Sequence, residues 1–199
     1  MKESMNSRTK KIILLLSIAL ATCSGIGIYL YHHNQSSQQG PIYDFNATRD
    51  TQAVMDIFHQ NWYWLLASEE SSPAFMIKHR TPDANPMHFG SLHIKVLYEN
   101  EGPYSTKASK GKLAGFTAYF MENSQEGRIL FLAVAHEFRG KGYGKLLAEY
   151  AMQQMFNMGA THIALWTRVS NLPAQKVYKE LGFKEMFDDN GYVFFEYWP

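Results

Sequence analysis

One cysteine, Cys23, stands in 199 residues. A single thiol excludes an intrachain disulfide framework and a cysteine-rich metal site. Charge is sparse: Asp, Glu, Lys and Arg make up 19% of the chain and the net charge is +1. Residues 1–40 contribute +3 of that total, from four basic side chains and one acidic, so residues 41–199 stand at −2 without a basic block. Such a domain disfavours nucleic acid as a partner. Apart from His32-His33, no two histidines stand at metal-ligand spacing, so no metal site is expected. No Gly-Lys-Ser/Thr occurs, which excludes a Walker loop. There is no internal repeat.

The apolar side is fuller, with 46% hydrophobic and 15% aromatic residues, enough for one domain with a sizeable core. Residues 1–40 differ from the rest. Lys2, Arg8, Lys10 and Lys11 in a basic flank (1–11) precede an almost unbroken apolar run over 12–31. As a helix, that run spans roughly 30 Å, the hydrocarbon thickness of a bilayer. The expected organisation is a single-pass membrane anchor contacting the bilayer through 12–31, a polar linker over 32–40, and one domain over 41–199. A cleaved signal peptide, with secretion, is the main alternative; a lipoprotein site at Leu20-Ala21-Thr22-Cys23 is another.

Within 41–199, Ile42-Tyr43-Asp44-Phe45 alternates as a short strand. Thr48 or Asp50 can cap a helix that buries Val54, Ile57, Phe58, Asn61 and Leu65 and runs into Trp62-Tyr63-Trp64. Ala74-Phe75-Met76-Ile77 reads as a short second helix. Strands follow over Leu92–Tyr98, Lys112–Met121 and Arg128–Val134, the last two joined by a turn over Asn123–Gly127. Then comes Arg139-Gly140-Lys141-Gly142-Tyr143-Gly144, ahead of an amphipathic stretch from Tyr143 to Met158. A glycine-dense turn that opens a helix presents free backbone N–H groups at a positive dipole end, which is an anion cradle. Thr161–Thr167 is a further strand, Leu172–Leu181 a helix with Pro173 in its first turn, and Phe183 with Val193–Tyr197 completes a sheet.

Arg139-x-x-Gly142-x-Gly144, followed some 30 residues later by Asn171-x-x-Ala174-x-x-x-Tyr178-x-x-x-Gly182-Phe183, resembles the two signature blocks of the GNAT superfamily of N-acetyltransferases. The resemblance is strong over 112–197 and unspecific over 41–111. It implies an α/β, α+β-like GNAT fold: a mixed central sheet of six to seven strands with about four helices, here preceded by the transmembrane helix. It implies acetyl-CoA as acyl donor and a primary amine as acceptor, joined by direct attack in a ternary complex. Arg139, Gly140, Lys141, Gly142, Tyr143 and Gly144 would hold the pyrophosphate. Leu132, Ala133 and Val134 would bond the pantetheine through their main chain, where the strands before the loop and after its helix splay apart. The Leu132 amide would face the developing oxyanion. Asn171 and Ala174 would touch the pantetheine. Tyr178 stands in the general-acid position, able to protonate or hydrogen-bond the leaving thiolate.

The general base is less defined, because Arg128–Val134 contains no carboxylate. Glu122 is the candidate base, with His93, His88 or a water chain as alternatives. The acceptor site is expected around Trp62, Tyr63, Trp64, Phe75 and the Tyr98–Lys110 connection. A non-catalytic acyl-CoA-binding or protein-interaction module of the same fold is the alternative function; a longer acyl donor or an oxygen acceptor is a narrower one. The basic flank places the domain outside a membrane, whereas acetyl-CoA is a cytosolic metabolite, so the side of the domain stays open, as do the acceptor and the oligomeric state.

Overall fold

In the computed structural model the described residues are 42–65, 92–99 and 111–199. They form β1 (Ile42–Asp44), α1 (Ala47–Leu65), β2 (His93–Glu99), β3 (Lys112–Met121), β4 (Glu126–Val134), a 3-10 turn (His136–Phe138), α2 (Tyr143–Asn157), β5 (His162–Arg168), α3 (Leu172–Glu180), β6 (Lys184–Asp189) and β7 (Tyr192–Tyr197). The expected second helix at 74–77 lies outside the described residues.

Helix α1 starts ahead of its expected caps, Thr48 or Asp50, and Asn46 takes the capping position. Asn46 Oδ1 accepts the Arg49 N–H at 3.0 Å, and Asp50 Oδ2 accepts the Asn46 N–H at 2.8 Å. Each end of the turn thus satisfies an orphan donor of the other, in the manner of a capping box. Asp50 is fully buried; burial pushes its pKa up, but bonds from Arg49, Tyr98 and Asn46 outweigh it and hold the carboxyl below its ordinary value. Val54, Ile57, Phe58 and Asn61 recur on the buried stripe.

The seven strands form one sheet in the order β1-β2-β3-β4-β5-β7-β6. All neighbours are antiparallel except β4 and β5, which the α2 crossover makes parallel. The mixed sheet therefore has the strand number expected, with three α-helices among the described residues. Two features of β4 set the geometry at the middle of the sheet. Opposite Ala118 and Tyr119 of β3 it carries one extra residue, Leu130, a β-bulge. Its parallel pairing with β5 stops beside that bulge, at Ile129 with Leu165. Past this point β4 and β5 diverge, although both strands continue.

Helix α2 packs Leu147, Ala148, Ala151, Met152 and Met155 against the sheet, and Gly159 closes it at φ 102°. One core joins α1 to β2, β3 and the later half of β4; the second joins the later half of α2 to β5, α3 and β7. Leu132 touches both.

The membrane expectation is corrected. No helix among the described residues is long and apolar enough to cross a bilayer. The longest, α1, has 19 residues but carries Arg49, Asp50 and Asp56, and such charges are costly in hydrocarbon. The run over 12–31 lies outside the described residues. The fold is thus described without a transmembrane helix, and the single-pass membrane localisation loses its structural support.

Candidate active site

The divergence of β4 and β5 opens a cleft of about 530 Å³. Ile129, Leu130, Leu132, Ala133 and Val134 line one wall, and Trp166, Thr167, Asn171, Ala174 and Tyr178 line the other. Arg139, Gly140, Gly142, Tyr143, Gly144 and Lys145 close one end, while Asn61, Trp64 and Leu65 of α1 reach in as well. The two sequence blocks, 139–144 and 171–183, thus meet across one cavity.

The main chain of β4 explains why this wall can bind. The Ala135 N–H donates to Ala114 O of β3 at 2.9 Å. Backbone polar groups alternate along a strand, so Phe131, Ala133 and Ala135 turn theirs toward β3, and Leu132 and Val134 turn theirs toward the gap. Of the three residues expected to bond the pantetheine, Leu132 and Val134 turn their main-chain groups toward the gap, whereas Ala133 turns its own toward β3. Leu132 is the central position of the unzipped segment.

Gly140 and Gly142 take φ values of 77° and 81°, a region where L side chains are strained. This curls the loop back on itself, and Gly142 enters α2 without any side-chain cap on the first helical N–H groups. The glycines and the helix N-terminus together form a cradle for a phosphate. The two cations of the loop have protein partners. Arg139 donates from Nη2 to Asn61 Oδ1 at 2.6 Å, with its guanidinium pKa held below its ordinary value by burial. Lys141 pairs with Glu99 and sits 5.1 Å from the centre of the Phe138 ring. The cradle is therefore primarily backbone, with side-chain charge at its rim.

Tyr178 lies on α3 between Phe183 and Phe195, at ring-centre distances of 5.9 and 6.0 Å. It is buried and lines the cleft, and its hydroxyl makes no hydrogen bond among the described residues. Burial pushes its pKa up to about 12. A buried unpaired hydroxyl carries a desolvation cost of about 1–3 kcal/mol, which a ligand acceptor in the cleft would relieve. Asn171 occupies the N-cap position of α3 but does not cap with its side chain; its Nδ2 donates to Thr167 Oγ1 at 3.2 Å.

The other expected residues fall elsewhere. Glu122 sits at the β3–β4 turn, 3.6 Å from Arg128 Nε, and does not line the cleft. Burial and the nearby Lys95 lower the pKa of His93, which stacks on Tyr119 at 5.4 Å, away from the cleft. His88 and Phe75 lie outside the described residues. Tyr98 is a structural residue, its hydroxyl bonded to Asp50. The aromatic run divides: Trp62 and Tyr63 are exposed, and Trp64 with Leu65 lines the cleft. The sequence pattern places Asn61 on the buried stripe but gives it no part in the site, whereas its amide reaches Arg139. A polar residue within an apolar helical stripe was the available signal.

The chain matches the model of the Acetyltransferase (GNAT) family over residues 52–183. It is similar to an N-alpha-acetyltransferase of Sulfurisphaera tokodaii, 29% identical over 117 residues that cover 53% of this chain and 68% of that one. It is also similar to N-alpha-acetyltransferase 30 of Schizosaccharomyces pombe, 40% identical over 57 residues, covering 29% and 38% respectively. Among solved structures, the PaiA N-acetyltransferase of Thermoplasma acidophilum in complex with coenzyme A superposes with a TM-score of 0.59 at 16% identity, over 80% of this chain and 98% of that one. At that identity the likeness shows the fold.

Proposed function

The chain belongs to the Acetyltransferase (GNAT) family and is an acetyl-CoA-dependent N-acetyltransferase, and from that premise we propose how its residues divide the work and which amine they serve. The observation that carries the proposal is the end of β4–β5 pairing at Ile129 and Leu165, which leaves the Leu132 and Val134 main chains facing a cleft that runs from the glycine loop to Tyr178.

In this reading the backbone N–H groups of Gly140 to Gly144 hold the pyrophosphate, and Leu132 and Val134 align the pantetheine as an added strand would. Asn171 and Ala174 flank it. The amine's lone pair attacks the acetyl carbonyl carbon, and the Leu132 N–H stabilises the oxygen as charge builds on it. The carbon–sulfur bond then breaks with its electron pair on sulfur, and the amine nitrogen loses one proton to solvent. Tyr178 donates a hydrogen bond to the departing sulfur. With its pKa near 12 against about 8.5 for a thiol, the phenol stabilises the thiolate rather than surrendering its proton to it.

The acceptor proposed is the α-amine of a polypeptide N-terminus. The names of the similar proteins support this, and so does acid–base chemistry. An α-amine has a pKa of about 7.7–8.0 and is partly neutral near physiological pH, whereas a lysine amine near 10.4 needs a strong base. Among the described residues, the carboxylate that lines the cleft is Glu180, 3.9 Å from Lys176.

The test is acetylation of two peptide sets by the full chain with acetyl-CoA, followed by thiol release. One set has free N-termini and no lysine; the other has blocked N-termini and a free lysine. Turnover of the first set alone is expected. Preference for the second would overturn the α-amine assignment, and thiol release without either would overturn the peptide class.

A further inference from the structure

Asn61 joins parts of the molecule that the proposed reaction uses separately. It lies in the last two turns of α1 and is only 7% exposed. Its Oδ1 accepts from Arg139 Nη2 at 2.6 Å, and its Nδ2 donates to Ile57 O at 2.7 Å and to Val134 O at 3.5 Å. One buried amide therefore touches the glycine loop, the gap-facing edge of β4 and the backbone of α1. Two residues on, Tyr63 O accepts from Arg168 Nε at 2.5 Å, and the Arg168 guanidinium lies 4.3 Å from the centre of the Tyr63 ring. Helix α1 has no basic residue in its own last turn, and Arg168 supplies that charge from β5. The end of α1 is thus tied to β4 and the loop at Asn61 and to β5 at Tyr63. These are the two strands whose separation makes the cleft.

We propose that Asn61 is a positioning residue that transmits occupancy of the coenzyme cleft to the C-terminal turn of α1, which carries Trp64 and Leu65 into the cleft. The inference rests on reading the cleft as the coenzyme site. A ligand held by the loop fixes Arg139, and the 2.6 Å bond from Arg139 Nη2 fixes Asn61. The last turn of α1 then has fewer accessible poses. Coupling between sites of this kind changes an equilibrium by about 5- to 150-fold.

Hydrogen exchange of the full chain, with and without saturating coenzyme A, tests this directly. In the unaltered protein the coenzyme is expected to slow exchange both in 139–146 and in 61–65, the latter by about fivefold or more. Slowing in 139–146 alone overturns the proposal. In Asn61→Leu, which has similar bulk and no polar atoms, coenzyme is expected to slow 139–146 but leave 61–65 unchanged; slowing of 61–65 as in the unaltered protein also overturns it. Asn61→Asp keeps an acceptor for Arg139 and drops both donated bonds, and it is expected to restore slowing at 61–65. If it behaves as Asn61→Leu does, the Arg139 bond does not carry the coupling and the proposal fails. Should 139–146 itself show no change in the unaltered protein, the coenzyme-site reading is what falls.

Discussion

The two ends of the β4–β5 pair use the same strands for opposite purposes. At one end, Glu126 to Ile129 pair with His162 to Leu165, every position filled. Gly127 lies so close under α2 that an added Cβ would meet Met155 Sδ at 2.6 Å. Charge there is neutralised locally, with Arg128 Nη2 2.8 Å from Glu126. At the other end the strands separate, main-chain groups of Leu132 and Val134 face a cavity, and a buried tyrosine hydroxyl lacks a partner among the described residues. One extra residue, Leu130, marks the boundary. The contrast shows that the binding end is left unsaturated while the closed end supplies the stability that makes this tolerable.

Substitutions can separate the two ends. The largest effect is expected at the closed end. Ile163 is fully buried opposite Gly127, and Ile163→Ala should cost about 2–5 kcal/mol in urea unfolding, with the coenzyme affinity of the folded protein unchanged. Loss of affinity in proportion to stability would show that the ends are not separable. At the open end, Tyr178→Phe should lower kcat by about 100-fold without lowering the melting temperature, since the hydroxyl makes no hydrogen bond among the described residues. Gly142→Ala forces an alanine to φ 81°; a strain of about 1–2 kcal/mol should weaken coenzyme A by roughly tenfold in calorimetry.

A pH profile is gentler. The rate with a free N-terminal peptide should rise as pH climbs through about 7–8, where the α-amine loses its proton. No fall from Tyr178 should appear below about pH 10, because its hydroxyl titrates near 12. An alkaline decline near pH 9 would contradict a phenol held this high. The smallest effect is expected from Glu122→Gln. That carboxylate belongs to the charged rim of the closed end, and its removal should cost under about 1 kcal/mol of stability and leave kcat within about twofold. A collapse of kcat would restore Glu122 as the base.

The donor side was largely legible beforehand because its chemistry depends on residue types with few substitutes. Glycines at 140 and 142 have left-handed backbone that other residues resist, and Tyr178 sits at fixed spacing from Asn171. The bulge at Leu130 was not legible: an apolar run reads the same whether or not one residue is skipped in pairing. Strand β6 was missed for a related reason. Lys184–Asp189 is exposed at every position, so it lacks the alternation that marks a half-buried strand. The turn after it is Asn190-Gly191, both at positive φ. Gly127, expected in a turn, is a strand residue whose missing side chain makes room for α2. The acceptor side was least legible, since Asn61 and Trp64 act through positions that only the packing of α1 on two strands defines.

Strand β6 also bears on how the protein behaves in a crowd. It is the outer strand of the sheet at that end, six residues long, with Met186 and Phe187 uncovered. An exposed edge of this kind invites the strands of other chains to add to it, the first step of aggregation. Here Lys184, Glu185, Asp188 and Asp189 bracket the two apolar residues, and the extra residue at Met186 breaks the regular ladder. Charge and irregularity together guard the edge, so replacing the acidic pair with apolar residues would be felt first as lost solubility, with activity intact.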